Sequence, residues 1–248
     1  PNELNINGFG IFGWLCYIPL FLVLYYCNWK ERLALGVFWG VLQAVLINYW
    51  HGTYSFIGLQ LVTYLVFMEY LLYMLVLTGV AALFKKYFLF ILPFLWLCFD
   101  YMRSIGFMGY PWGLAGVTQW QFIPFIQSSS IAGVWGPTLA VLLFNAAAAW
   151  YITSFDSGKW QKRIYTLPAV FVCSFIVVSV IWGAFSVRSV EKSWNSTTDS
   201  YRVAVMQQNT DPRKHDYRES FKVLTEMTQQ AVLQTPEGVD LVLWPEGG

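Results

Sequence analysis

Six long apolar runs constrain the fold of this chain more than any other feature of its sequence. They cover residues 9–27, 33–49, 56–84, 87–102, 125–151 and 166–187. A helix needs roughly 20 apolar residues to cross the hydrocarbon core of a bilayer, and every run except the fourth comes near or exceeds that length. The sequence therefore predicts an α-helical membrane domain of about six spans within residues 1–187.

The composition also indicates a membrane protein. Only 12% of the residues are charged and 57% are hydrophobic, whereas soluble domains carry about 25% charged residues. Charges are sparse before residue 188 and frequent after it, which predicts a polar linker at residues 188–200 and a water-facing segment at residues 201–248. A net charge of +1 without a clustered basic face argues against nucleic acid as a partner.

Basic residues are concentrated in alternate loops. They are Lys30 and Arg32, then Lys85 and Lys86, then Lys159, Lys162 and Arg163. The positive-inside rule places these loops in the cytoplasm. The start of the chain and everything after residue 187 are then on the outer side, and an outer start predicts at least one further span upstream.

The loop after the fourth run is rich in glycine and aromatic residues. Its sequence from Asp100 to Gly116 is DYMRSIGFMGYPWGLAG. Asp100 and Arg103 are three residues apart, a spacing at which side chains pair on one helix face. Irregular backbone at membrane depth is tolerated only against protein or a wet cavity. Two interpretations remain open: a re-entrant turn held by one ion pair, and the wall of a cavity that opens to the outer side.

His51 and the four cysteines are weaker candidates for chemistry. His51 could carry a proton, but a single histidine among interfacial aromatic residues is more often a polar anchor. The cysteines, at positions 16, 27, 98 and 173, lie inside apolar runs and lack a metal-binding spacing. The sequence predicts no metal site, no disulfide framework and no cofactor.

The water-facing segment has the pattern of a β-α-β unit. Residues 201–207 are typical of a strand, and Asp216 and Glu219 have the spacing of a helix capping box. Apolar residues then recur at helical spacing over residues 221–231. The unit spans about 50 residues and is too short for a complete domain, so we expect the domain to continue beyond the sequence given.

A glutamate follows the second predicted strand. Pro236 marks the end of the helix, and residues 239–243 form the strand. Pro245 stops this strand because proline has no N–H to donate to a ladder. Glu246 is therefore predicted at the carboxyl end of a strand, where catalytic groups of α/β folds project.

Several of these stretches together resemble a known family. The sequences RVAVMQQN at residues 202–209 and LWPE at residues 243–246 resemble the start of the nitrilase (carbon–nitrogen hydrolase) fold. A nitrilase-like start that follows a multi-span membrane domain resembles the apolipoprotein N-acyltransferases of bacteria. The loop residues 103–104, 109–112 and Gly116 are similar to that family's Arg-Gly, Gly-Phe-Pro-Trp and Gly segment. The implied fold is a polytopic α-helical membrane domain followed by the start of an α/β nitrilase-like domain, an α-β-β-α sandwich.

The resemblance implies acyl transfer in two half-reactions. A cysteine thiolate takes an acyl chain from a phospholipid, and the thioester passes it to the N-terminal diacylglyceryl-cysteine of a lipoprotein. The thiol needs a neighbouring base, which the resemblance places at Glu246, and a lysine stabilises the oxyanion. The family's lysine and cysteine are expected beyond Gly248, so residues 1–248 alone are expected to be inactive.

The resemblance also assigns substrate binding to Arg103, Pro111, Trp112 and His215. Arg103 would position the loop and Trp112 would admit lipid, while His215 stands where the family usually has tryptophan. The implied partners are a phospholipid donor, a diacylglyceryl apolipoprotein acceptor and membrane lipids. The implied setting is the bacterial inner membrane, with a monomeric protein whose C-terminal part lies on the periplasmic side.

Two other functions remain open on the sequence. One is a different membrane-bound amidase or acyltransferase of the nitrilase superfamily, because the acceptor depends on residues after Gly248. The other is a protein without this chemistry, either a non-catalytic membrane scaffold or a transporter. Glu69 is the main charged residue inside the apolar runs, and transport sites usually need more such groups.

Overall fold

A computed structural model shows a mostly helical chain and describes residues 9–53, 55–85, 87–106, 109–156, 163–196, 200–209 and 217–245. In chain order the α-helices are α1 (Tyr17–Tyr26), α2 (Trp29–Asn48), α3 (Phe56–Leu83), α4 (Phe88–Ser104), α5 (Ile123–Ile126), α6 (Ser129–Ala132), α7 (Trp135–Asp156), α8 (Arg163–Ser196) and α9 (Tyr217–Gln234). The described residues also form 3₁₀ helices at Gly10–Trp14, Tyr49–Thr53 and Ala115–Gln119, and the strands β1 (Val203–Val205) and β2 (Leu241–Leu243).

The described residues include four helical segments long and apolar enough to cross a membrane. They are Trp29–Gly52, Phe56–Leu83, Trp135–Phe155 and Leu167–Ser196. The chain therefore has the predicted polytopic helical architecture. The first and fourth predicted runs contain α1 and α4, which have only 10 and 17 residues, fewer than the roughly 20 that cross a bilayer core. The described residues thus include four helices long enough to span a membrane and two shorter apolar helices, whereas the sequence predicts six spans.

The fifth apolar run is not one continuous helix. The sequence predicts a span over residues 125–151, but the short turns α5 and α6 come first, and α7 begins only at Trp135. Gly133 has a φ of 61°, a backbone conformation that glycine adopts without steric cost and that ends α6. The Ser128 hydroxyl donates to the carbonyl of Phe125 at 3.0 Å, which supports the tight turn. The apolar composition alone therefore placed the start of this span too early.

The sixth run continues beyond its predicted end. α8 extends to Ser196, so residues 188–196 are helical although the sequence predicts a linker at residues 188–200. These residues contain neither glycine nor proline, the two residues that interrupt a helix most strongly. The change to polar composition near residue 188 therefore does not mark where the helix ends.

Small residues allow α2 and α3 to pack closely as an antiparallel hairpin. Gly36 and Gly40 lie one turn apart on α2 and face Met74 and Tyr70 of α3. A Cβ atom at Gly36 would come 2.3 Å from Met74 Cγ, and one at Gly40 would come 3.0 Å from Tyr70 Cβ. In lipid, where water does not drive helices together, such close backbone approach is a main source of helix association.

The core of the membrane domain forms where α1, α3, α4 and α7 meet. Trp96 of α4 is 1% exposed, and its ring centroid lies 5.4 Å from those of Tyr17 and Tyr73. Asn145 of α7 is fully buried; it accepts from the Tyr17 amide at 3.1 Å and donates to the Gly13 carbonyl at 3.0 Å. This side chain therefore ties α7 to the start of α1 through satisfied polar contacts.

The segment after residue 200 has the predicted order of strand, helix and strand. β1 and β2 are parallel, with Val203 opposite Leu241, and α9 makes the crossover that parallel strands require. Leu224 on the apolar face of α9 is fully buried. Asp216, the first residue of the predicted capping box, lies outside the described residues. The assignment of this unit to a nitrilase-like domain stays a prediction.

The contact between α8 and the segment around α5 can be tested at Gly183. A Cβ atom at Gly183 would lie 1.7 Å from the Pro124 carbonyl oxygen, so Gly183→Ala must displace backbone. We expect a loss of about 1–3 kcal/mol of stability from this overpacking. Thermal unfolding of the full-length protein in detergent measures the loss.

Gly79→Ala in α3 is the matched control. A Cβ atom at Gly79 would meet nothing within 4 Å, so this variant should be neutral or slightly more stable, because alanine favours a helix over glycine by up to about 1 kcal/mol. Equal melting temperatures for the two variants would contradict the close contact.

Candidate functional site

α4 ends in a buried ion pair. Arg103 Nε donates to Asp100 Oδ1 at 2.9 Å, and the two side chains are only 6% and 2% exposed. The pairing that the spacing predicts is therefore confirmed. Removing two charges from water is costly, and further hydrogen bonds to their remaining polar groups offset part of that cost.

Arg103 makes one such hydrogen bond, to the loop that follows, whereas Asp100 Oδ2 is buried without a partner among the described residues. Arg103 Nη1 donates to the Tyr110 carbonyl at 3.1 Å, and the Tyr110 amide donates back to the Arg103 carbonyl at 2.7 Å. Gly109 permits this return, since a Cβ atom there would lie 2.7 Å from the Ser104 carbonyl oxygen. The loop from Arg103 to Tyr110 is thus closed on the helix end by backbone and guanidinium contacts.

Tyr110 connects this loop to the end of α2. Its hydroxyl donates in a short hydrogen bond to Asn48 Oδ1 and lies 3.2 Å from His51 Nε2. Burial raises the pKa of Tyr110, an effect that the Arg103 charge partly opposes, so the phenol keeps its proton at neutral pH. The phenol therefore links Asn48 of α2 with the imidazole of His51.

The histidine is held on a second side as well. Its ring stacks on that of Trp50, with centroids 3.9 Å apart and planes inclined by 24°. A ring fixed by one hydrogen bond and one stacking partner is suited to positioning the loop. Of the two roles considered for His51, the geometry therefore favours the polar anchor.

Trp112 lies at the exposed edge of this aromatic cluster. Its side chain is 53% exposed, and its ring centroid lies 5.7 Å from that of Trp50 and 6.4 Å from that of Tyr110. Pro111 precedes it and is also exposed. Gly113, at a φ of 80°, then turns the chain back against α2. The loop therefore presents an aromatic side chain outward from a fixed base.

Cavities lie on both sides of the loop. One, of about 390 Å³, runs between α3 and α4 and is mostly apolar, with Arg103 and Glu69 as its charged lining residues. Another, of about 450 Å³, is walled by residues 113–115, by Ile47 of α2 and by residues near the start of the described chain. The loop is therefore a turn tied by an ion pair, and it also forms part of a cavity wall. The opening of that cavity to the outer side stays a prediction.

The structure places three of the five predicted site residues together. Arg103, Pro111 and Trp112 belong to one loop, whereas His215 and Glu246 lie outside the described residues. Sequence reasoning gave no role to Asn48, which is 1% exposed and holds Tyr110. A polar amide at the end of an apolar run was the signal that could have indicated it.

The described residues offer no obvious metal ligands. Among them, no group of three or more histidine, cysteine, aspartate or glutamate side chains could hold a metal ion. The cysteines are free thiols; Cys98 and Cys173 are exposed on α4 and α8, Cys16 is exposed in the turn before α1, and Cys27 is half-buried. The chemistry of the described part is therefore that of an ion pair, hydrogen-bonded aromatics and apolar grooves.

A comparison with known protein families identifies the family of this chain. A family model described as the apolipoprotein N-acyltransferase N-terminal domain matches residues 5–147, which is more than half of the chain. The chain belongs to the apolipoprotein N-acyltransferase family. The matched region includes the ion pair at the end of α4 and the loop that carries Trp112.

Curated relatives extend this match to the β-α-β unit. The apolipoprotein N-acyltransferase of Borreliella burgdorferi is 31% identical over 261 residues, covering 100% of this chain and 47% of the relative. Apolipoprotein N-acyltransferase 1 of Treponema denticola is 29% identical over 252 residues (99% and 45%). The protein of the same name from Treponema pallidum is 28% identical over 271 residues (99% and 46%). The chain spans about half the length of these curated relatives.

The buried ion pair of this apolipoprotein N-acyltransferase family member gives a stability prediction. Asp100→Ala leaves the Arg103 guanidinium buried without its counter-charge, which should cost about 3–5 kcal/mol. Chemical or thermal unfolding of the full-length protein in detergent measures the change.

An acid-to-alanine change in an exposed helical pair serves as the control. On α9, Glu226 Oε1 lies 3.9 Å from Lys222 Nζ, and the Glu226 side chain is 57% exposed. Glu226→Ala should therefore change the free energy of unfolding by less than about 1 kcal/mol. If Asp100→Ala lowered the free energy of unfolding by no more than Glu226→Ala does, the buried pair would not stabilise the fold.

Proposed function

We propose that the full-length protein is an apolipoprotein N-acyltransferase. It would move an acyl chain from a phospholipid to the α-amino group of the diacylglyceryl-cysteine at the N-terminus of a lipoprotein. The observation that carries this proposal is that relatives of that name match 99–100% of the chain, from the membrane helices through β2. The match therefore includes both the part that would hold lipid and the part that would bear the catalytic base.

Glu246 is the proposed base. β2 ends at Leu243, and the next residue is fixed on α9: Trp244 Nε1 donates to Thr228 Oγ1 at 3.0 Å, and its ring lies 5.5 Å from that of Phe221. The chain therefore leaves the strand at a defined point two residues before Glu246. These contacts support a glutamate at the carboxyl end of a parallel strand, where α/β folds place catalytic groups.

The proposed acyl transfer has two half-reactions, and Glu246 moves one proton in each. Glu246 takes the proton of a cysteine thiol, and the thiolate attacks the ester carbonyl of the phospholipid. The bond to the glycerol oxygen breaks, and that oxygen takes the proton from Glu246 to leave a lysophospholipid. In the second half-reaction the lipoprotein amine attacks the thioester, its proton passes through Glu246 to the departing thiolate, and the amide forms. A lysine would stabilise both oxyanions; it and the cysteine are proposed for the region after Gly248.

The rest of the α/β domain is proposed as a nitrilase-like sandwich. Apolar side chains point from both strands without cover: Val203 and Val205 of β1 are 46% and 73% exposed, and Leu241 and Leu243 of β2 are 50% and 46% exposed. Sheets are stable when such faces pack against another layer. This exposure supports additional strands and a second layer around the β-α-β unit.

The membrane domain is proposed to hold the acyl chains. The apolar cavity of about 390 Å³ between α3 and α4 borders Arg103. An acyl chain in this cavity would place its ester near the loop that carries Trp112. Such a site must be at a bilayer surface because both substrates are lipidated, and the basic loops support an inner membrane location with the α/β unit on the periplasmic side.

The role of Glu246 is tested by trapping the acyl-enzyme. Glu246→Gln in the full-length protein should abolish thioester formation with phospholipid, because an amide cannot take the thiol proton. Glu226→Gln on α9 is the matched control and should form the thioester normally. Mass spectrometry of the intact protein detects the added acyl chain, and a normal thioester in Glu246→Gln would refute the role.

Trp112 is tested in the donor half-reaction. Trp112→Ala should slow thioester formation by up to about tenfold, the effect of one aromatic contact. It should leave stability nearly unchanged, because the side chain is 53% exposed. Trp194→Ala, at a tryptophan that is 79% exposed on α8, is the control. Unchanged thioester kinetics in Trp112→Ala would exclude a role in admitting lipid.

A further inference from the structure

A basic cavity lies at the opposite end of the helical bundle from the loop that carries Trp112. Its volume is about 550 Å³, within the roughly 300–1,000 Å³ of small-molecule sites. It is formed where α1 and α3 end and where α2 and α4 begin. Its lining combines aromatic side chains, including Tyr25, Tyr26 and Trp29, with the cations of Arg32 and Lys85. Neither the proposed acyl transfer nor the family match assigns a role to it.

Arg32 is held in a fixed position in this cavity. Its Nε donates to the Leu24 carbonyl at the end of α1 at 2.8 Å, and its guanidinium carbon lies 5.6 Å from the ring centroid of Phe88 at the start of α4. Within the described part of the chain, no acceptor contacts its two terminal nitrogens. A planar guanidinium fixed by Nε, with two donors facing a cavity, matches the geometry of a phosphate group.

Other charges around the cavity are mainly positive. Lys85 follows α3 and is exposed, and Lys30 lies at the start of α2 with its Nζ 5.6 Å from the ring centroid of Trp29. The acid at this end, Glu31, already accepts the Asn28 amide at 2.8 Å in the capping box of α2. The positive dipole ends of α2 and α4 and the negative dipole ends of α1 and α3 meet at this cavity and largely offset each other, so the side-chain cations set the sign of the potential. The cavity therefore favours an anion.

The surroundings indicate that the anion carries apolar chains. Tyrosine and tryptophan at the ends of membrane helices mark the level of the lipid headgroups. Thr78, Ala81 and Phe88 continue the lining toward the interior of the bundle, so the polar mouth leads into an apolar wall. A soluble phosphate compound would use the mouth of the cavity and leave this wall uncovered.

We propose that this cavity binds the headgroup of an anionic phospholipid, with its phosphate on Arg32 and Lys85. Basic pockets between transmembrane helices are suited to such headgroups, and the negative surface potential of the cytoplasmic leaflet favours them at the end that carries the basic loops. The bound lipid would contact the C-terminal ends of α1 and α3 and the N-terminal ends of α2 and α4. This inference is independent of the acyl-transfer reaction.

Lipid retention by the full-length protein tests the proposal. The protein is placed in nanodiscs of equal parts phosphatidylcholine and phosphatidylglycerol, released, and examined by native mass spectrometry. We expect phosphatidylglycerol to be retained in preference to phosphatidylcholine. Arg32→Gln and Lys85→Gln should each reduce this preference about fivefold, the effect of about 1 kcal/mol per basic residue. Lys192→Gln, an exposed lysine on α8, should have no effect.

A competition experiment and a folding control complete the test. Excess glycerol 3-phosphate should not displace the lipid; displacement would show a site for soluble phosphates and overturn the lipid assignment. Thermal unfolding in phosphatidylcholine alone shows whether each variant folds. Lys85 is exposed, so Lys85→Gln should fold and keeps the test valid even if Arg32→Gln does not. Equal retention of the two lipids by the unmodified protein, or an unchanged preference in Lys85→Gln, would overturn the proposal.

Discussion

The ion pair between Asp100 and Arg103 is the interaction on which the architecture of the site depends. A pair of charges that is almost fully buried in an apolar bundle is stabilised by hydrogen bonds to its other polar groups, and Arg103 makes one with the carbonyl of Tyr110. The loop is therefore forced back onto the end of α4. Once Tyr110 is there, its hydroxyl reaches Asn48, and α2, α4 and the aromatic edge at Trp112 become one connected unit.

The remainder of the membrane domain follows a similar logic. Lipid tails are as apolar as leucine, so helices associate through close packing and internal hydrogen bonds. Glycines on α2 supply the close packing against α3, and Asn145 supplies hydrogen bonds between α7 and the start of α1. The two ends of the bundle then differ chemically. One has a hydrogen-bonded aromatic loop beside apolar cavities, and the other has a basic cavity lined by aromatic residues.

The membrane helices and the β-α-β unit would have separate roles in the proposed acyltransferase. The grooves between the membrane helices would hold acyl chains, whereas the β-α-β unit would position the proposed catalytic carboxylate of Glu246. Trp244 is important for that second role because its contacts with α9 fix the chain just before Glu246. The family relationship shows that both parts belong to one kind of protein, and the exposed faces of β1 and β2 indicate where further layers of the α/β domain would pack.

The sequence by itself determined the helical membrane architecture, the pairing of Asp100 with Arg103 and the order of strand, helix and strand, because each depends on local spacing. It did not determine where helices end: Gly133 interrupts an apolar run, and α8 continues through polar residues. The contact of Tyr110 with Asn48 joins residues 62 positions apart, and the basic cavity gathers residues from four helices. Only the tertiary structure decided these features, since they arise from the packing of distant segments, which local composition and periodicity do not encode.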